Sequence, residues 1–368
     1  MTNFIMSDTQ PLIARKRSTS SEPRSQDGFT GNATIQPPAQ EDSLLSKLLS
    51  LVAARTKLPI LFGLLVICLP TVYLYSRETS RDHQKRTDTS ILVWTFILGG
   101  TVGITVAMLA QSVLAYLLAV LCFNGHTNAM VYLAETVKTE DDIIDEAHRK
   151  RRWKMSHRPA YWVFMMLFAF VVAGLVEESI KYIAITTMLG WGQRSSHGAG
   201  NIINDRDYMT VAVAAALGFA TVENMTFLAG AARQRKGSGG SGSSAGGGAT
   251  ALLTAVERAV IGTPGHCMTA ALIGANMLVR ARHDSLGEGG QHGTLASILT
   301  TWSILRGPAL FHGCFNFMLF AVSALEGNVG WIHPRGWRTV CFVLVVAVSL
   351  QATLALVLRA KLREAGLL

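Results

Sequence analysis

Glu177, Glu178 and Lys181 stand inside VVAGLVEESIKYIAI, a run that is otherwise almost wholly apolar. A charged side chain near the centre of a bilayer costs at least about 2.5–3.5 kcal/mol on insertion scales, so each one needs a reason. Glu177 and Lys181 are four residues apart and share a helix face, whereas Glu178 points about 100° away from Glu177. A self-satisfying ion pair needs one acid. Two carboxylates against one ammonium leave an acid over, which suits general-base chemistry. Glu223 and Asn224 interrupt LGFATVENMTF in the same way, and alone they would pass as an interhelical hydrogen-bond clamp.

Arg258 and His266 occur in ERAVIGTPGHCM, where Arg258, Gly262 and His266 are spaced by four. An arginine in this setting requires a carboxylate, for which Glu257, Glu223 or the Glu177–Glu178 pair are candidates. Pro264 and Gly265 loosen the backbone beside His266. In ILRGPALFHGCFNFM, His312 and Asn316 are again four apart, with Gly313 permitting close approach of a helix or a substrate. An imidazole and a carboxamide on one face supply hydrogen-bond donors suited to a developing oxyanion. They would equally suit a transported ion.

The elements that must position these groups are long and apolar. The chain has 368 residues, 49% hydrophobic and only 15% charged. Its apolar residues gather in runs that match the roughly 20 helical residues needed to cross a hydrocarbon core. Seven spans are predicted, near 58–76, 91–123, 160–190, 208–231, 249–280, 294–324 and 338–359. The fold class is therefore all-α, a polytopic membrane helical bundle, and the short alternating strands of a β-barrel are missing from the pattern. Gly99, Gly100 and Gly103 are expected to bend the second span, and Pro264 and Pro308 the fifth and sixth.

Residues 1–57 read as a disordered cytosolic tail with a short amphipathic helix near 42–55, where Leu44, Leu45, Leu48, Leu49 and Val52 recur at helical spacing. The N-terminal membrane helices occupy 58–123, a charged cytosolic loop 124–159, and the helical core with the polar motifs 160–324. Residues 325–368 form the last span and a short tail. Gly237–Gly248 reads as a flexible connector. The net charge of +9 sits mostly beside the apolar runs, densest over Arg149–Arg158. That placement marks a cytosolic anchor and N terminus rather than a nucleic-acid surface. The five cysteines all fall in apolar segments with no CxxC spacing, so neither disulfides nor a thiolate metal site is expected.

Taken together, Glu177-Glu178-x-x-Lys181, Phe219-x-x-x-Glu223-Asn224, Arg258 with His266, and His312-x-x-x-Asn316 resemble the PrsW-like intramembrane proteases. These belong to the superfamily of CAAX prenyl endopeptidases and bacteriocin-processing enzymes. The motifs follow the family's order and cover about 170–320. The prenyl endopeptidase branch has a His where this chain has Glu223, which favours the PrsW branch. The resemblance implies peptide hydrolysis in a bilayer cavity without an acyl-enzyme. By that analogy Glu177 activates water with help from His266, Glu178 and Lys181 tune and position it, and His312 and Asn316 stabilise the oxyanion. Glu223 belongs to the same catalytic set, with Asn224 and Arg258 as positioning residues. The implied partners are a membrane-protein or lipidated-peptide substrate and the lipid bilayer.

No cofactor is expected. The sequence has no HExxH, and a metal held by Glu, His and His ranks below direct carboxylate activation. Two other classes compete with a protease: an ion-coupled transporter, since midplane Glu, Arg and His also line ion pathways, and an inactive membrane chaperone or scaffold.

Overall fold

The computed structural model describes residues 57–81, 87–138, 142–143, 145–195, 204–233, 252, 254–284, 294–331 and 336–368. The predicted tail helix near 42–55 and the Gly237–Gly248 connector lie outside them. Helices α1 (Lys57–Thr79), α2 (Thr89–Cys122), α5 (Pro159–Arg194), α6 (Asp205–Arg233), α8 (Thr294–Leu325) and α9 (Trp337–Glu364) account for six of the predicted spans and are long and apolar enough to cross a membrane. The fifth predicted span is helical too. It comprises a π-helical segment, Arg258–Gly262, running into α7 (Thr263–His283). Its arginine, histidine and threonines leave it too polar to pass as a span on apolar length alone.

The helix α6 is the hub, packed against α1, α2, α5 and α7. Of its apolar stretch 72% is buried, against 11% in α1 and 17% in α9, which present most of their surface outward. Small residues make this packing close. Ala212, Ala214, Ala215, Ala216, Gly218 and Ala220 line α6 with almost no side-chain bulk, and such residues let membrane helices approach backbone to backbone. Gly99, Gly100 and Gly103 form a π-helical turn within α2, and a β-carbon on Gly99 would meet the Ala215 carbonyl at 2.5 Å. A β-carbon on Gly218 would collide with the Phe96 carbonyl. Gly218→Val is accordingly expected to destabilise the protein by about 3 kcal/mol or more through overpacking. Gly190→Ala meets only the Arg194 guanidinium at 3.8 Å and is expected to melt like wild type. Thermal unfolding of the purified protein in detergent compares the two.

The charged loop predicted over 124–159 contains two helices, α3 (His126–Thr136) and α4 (Glu146–Ser156), the latter capped by the Asp145 carboxylate accepting from the His148 N–H. The two are tied together by Glu135, a buried acid that accepts from Lys138, His148, Arg151 and Arg152 at 2.8–2.9 Å. Arg152 also donates to the Val329 carbonyl at 2.7 Å, joining the turn after α8 to the same clamp. Burial alone would push the Glu135 carboxyl up, but hydrogen bonds from Lys138, His148 and Arg152 outweigh it and hold it at about 2. Because this value is depressed, the clamp's contribution is complete above the ordinary carboxylate range near 4.5 and fades as pH falls from there toward 2.

Candidate active site

Four helices and one π-helical segment deliver the polar residues to one place. In α5 the π-helical stretch Phe168–Leu175 runs directly into the turn that carries Glu177, Glu178 and Lys181. Gly174 lets α8 come close there, since a β-carbon would meet the Ala309 carbonyl at 2.8 Å. In the fifth segment the π turn ends at Gly262, where the Thr263 backbone N–H and its Oγ1, the latter at 3.1 Å, both donate to the Arg258 carbonyl, and Pro264 sits in the first turn of α7, where its missing N–H costs nothing. The result is that Arg258 and His266 both reach Glu223.

Glu178 is fully enclosed, and its Oε1 accepts from Lys181 Nζ at 2.7 Å, from Thr269 Oγ1 at 3.2 Å and from His312 Nδ1 at 2.7 Å. Lys181 Nζ donates further to His266 Nδ1 at 2.9 Å. An ammonium has only donors, so His266 Nδ1 must accept, and its Nε2–H then donates to Glu223 Oε2 at 2.9 Å. Arg258 completes the chain, reaching Glu223 Oε2 at 2.6 Å and Asn224 Oδ1 at 2.7 Å while its guanidinium lies 4.2 Å from the Phe227 ring centre. Asn224 passes its own N–H to Thr263 Oγ1 at 3.0 Å.

Glu177 is held differently. Its Oε1 accepts from Gln111 Nε2 of α2 at 2.9 Å. Its Oε2 is buried without a hydrogen-bond partner and lies 3.6 Å from His312 Nε2. His312 Nδ1 donates to the Glu178 carboxylate, so Nε2 presents a lone pair when the ring is neutral and an N–H when it is protonated. In the neutral form two acceptors face each other, a geometry that a water molecule or a cation would satisfy. The wider centre has the same bias: three carboxylates, Glu177, Glu178 and Glu223, meet two permanent cations, Lys181 and Arg258.

The centre opens on a cleft bounded by α6, the π segment, α7, α8 and α9. Glu223, Arg258, His266, His312 and Asn316 line it beside Phe311, Phe315, Leu350 and Leu354. Glu177, Glu178 and Lys181 are not in its wall. They are reached through His312, which touches both acids, and His266, which touches Lys181. On the far wall Gln351 of α9 donates to the Ile261 carbonyl at 2.5 Å.

All nine residues singled out in the sequence lie in or beside this centre. Of the two acids open to Lys181 by spacing, it pairs with Glu178, three residues away, because Glu177 turns toward α2 and α8. One expectation is corrected. His312 and Asn316 do not form a matched pair of donors: both line the cleft, but His312 gives its Nδ1–H to Glu178. The sequence reading missed Gln111, Thr263, Thr269 and Gln351. The two glutamines carried a usable signal, an isolated carboxamide in an apolar span, whereas buried threonines are too common in membrane helices to stand out.

A membrane-spanning helical bundle with a buried centre that joins carboxylates, imidazoles and a lysine defines a class of integral proteins built around chemistry inside lipid. The chain belongs to the PrsW family: the model of the PrsW family intramembrane metalloprotease matches residues 152–353, which include α5 to α8 and most of α9. Protease PrsW of Clostridioides difficile (strain 630) is 28% identical over 155 residues, covering 42% of this chain and 52% of that protein. The chain thus spans about half the length of the curated relative it matches. No solved structure matches it.

Proposed function

We propose that this protein is an intramembrane endopeptidase that hydrolyses peptide bonds of membrane proteins or lipidated peptides through water activated by Glu177. The observation that carries this reading is the buried, unpartnered Glu177 Oε2 facing His312 Nε2 at 3.6 Å, directly behind the His312 wall of the cleft. A water seated between them donates one O–H to each acceptor and aims its lone pair toward the cleft. As its oxygen attacks the scissile carbonyl, Glu177 takes the proton and later returns it to the departing amine nitrogen. The Asn316 carboxamide and the polar wall around His266 stabilise the oxyanion. Glu178 and Lys181 fix the two imidazoles. Glu223, locked between Arg258 and His266, orients His266 instead of acting as the base. The Clostridioides difficile relative, named a protease, supports the same activity, and the placement of Lys and Arg supports a cytosolic N terminus.

One observation favours a second reading. Glu177, His266 and His312 each offer a ligand atom, all within 4.8 Å of one another, and one carboxylate with two imidazoles is a donor set that suits zinc. An ion held there would supply Lewis-acid polarisation of the scissile carbonyl. Direct activation is preferred because both His266 nitrogens are already engaged, by Lys181 and by Glu223.

The test uses purified protein in proteoliposomes with a single-span substrate. Two fragments are expected, in a yield that survives exhaustive chelation within about twofold. Loss on chelation with recovery on adding zinc would establish the second reading. Absence of fragments together with solute flux across the vesicles would overturn both and indicate a carrier.

A further inference from the structure

Gln111 lies outside the 152–353 segment that matches the family, on a helix that the sequence marks only as an apolar span. After the π turn at Gly99–Gly103, the buried face of α2 reads Ile104, Ala107, Gln111, Ala115 and Ala119. Four of these five are apolar. The exception sits at the centre of the stripe and reaches across to α5, where its Nε2 meets Glu177 Oε1 at 2.9 Å. The carboxamide must present its NH₂ there, because the flipped amide would set two acceptors against each other.

This contact has a cost that packing does not explain. Gln111 is buried, and its own Oε1 has no hydrogen-bond partner. An unmet buried acceptor costs about 1–3 kcal/mol, and a methionine would fill nearly the same volume without it. What the glutamine adds is one donor on one oxygen of Glu177. The other oxygen is left unpaired and turned toward His312. The place of that donor is set by the backbone, since Gly99 and Gly100 press the π turn of α2 against the carbonyls of Ala215 and Gly218 on α6.

We propose that Gln111 is a positioning residue for the reaction: it pins Glu177 Oε1 so that Oε2 is the oxygen presented to water. The inference rests on Glu177 being the base. It extends the working site to α2, so that the matched segment alone is an incomplete enzyme. Gln111 does not touch the cleft and is absent from its lining. Its role is therefore read in turnover and not in substrate affinity.

The test is kinetic, on the full chain in proteoliposomes. Gln111→Met is expected to lower kcat by about 10–100-fold, the usual loss when a supporting hydrogen bond to a working group is removed, while KM and the thermal midpoint stay at wild-type values. Gln111→Asn keeps the amide but is one methylene too short to reach Glu177, so it is expected to lose kcat to the same degree. Wild-type kcat in either variant would overturn the proposal, as would a loss carried by KM or by unfolding. If Glu177→Gln stays fully active, the base assignment itself fails. If Glu177→Gln is inactive and Gln111→Met is not, only the positioning role fails.

Discussion

Glu177→Gln is expected to reduce kcat for cleavage of a reconstituted membrane substrate by about 10²–10⁴-fold, the range that a positioned general base supplies. The replacement is nearly isosteric, and the Gln111 amide at 2.9 Å can still donate to the new carbonyl oxygen. What disappears is the basic oxygen at Oε2, which has no hydrogen bond to lose. Membrane insertion, abundance and thermal midpoint are therefore expected to stay at wild-type levels. Cleavage fragments quantified at matched protein amounts measure the effect, and unchanged turnover would remove Glu177 from the mechanism.

Lys181→Met is expected to fail at folding rather than at chemistry. Lys181 and Glu178 are almost wholly enclosed and joined at 2.7 Å, and the same ammonium holds His266 Nδ1 at 2.9 Å. Removing the cation strands a carboxylate in a dry interior, a change that costs about 3–5 kcal/mol when one partner of a buried pair is deleted. The remaining donors, Thr269 at 3.2 Å and His312 at 2.7 Å, cannot replace a full charge. Adding Glu178→Gln removes the stranded charge, so the double variant is expected to recover most of the lost thermal midpoint while remaining inactive. A double variant as unstable as Lys181→Met alone would show that the lysine matters for some contact other than Glu178.

Much of this centre was legible in the chain because lipid makes charge conspicuous. Glu177, Glu178, Lys181, Glu223, Arg258 and His266 each break an apolar run, and a bundle has little room to hide them except against one another. The choice of partner was less legible. Residues three and four apart are both neighbours on a helix, so spacing alone could not decide between Glu177 and Glu178 for Lys181. The decision came from α2 and α8, which draw Glu177 away through Gln111 and His312. The π turns at Gly99–Gly103 and Arg258–Gly262 shift which residues share a face, and the sequence shows them only as glycines and a proline expected to bend the helix. The helices within 124–159 were masked for a different reason. Their charges read as solvated, whereas Glu135 and Arg152 turn inward and pair with each other.

The claim on which the rest depends is that side chains from separate helices work as one unit, and a kinetic cycle on Glu177 and His312 tests it most directly. Residues that act in the same step lose their effect once, so the double variant Glu177→Gln with His312→Ala is expected to be no slower than the slower single variant. Losses in kcat that multiply across the pair, at equal abundance and thermal midpoint, would mean that the acid on α5 and the imidazole on α8 act independently, and would contradict a shared water between them.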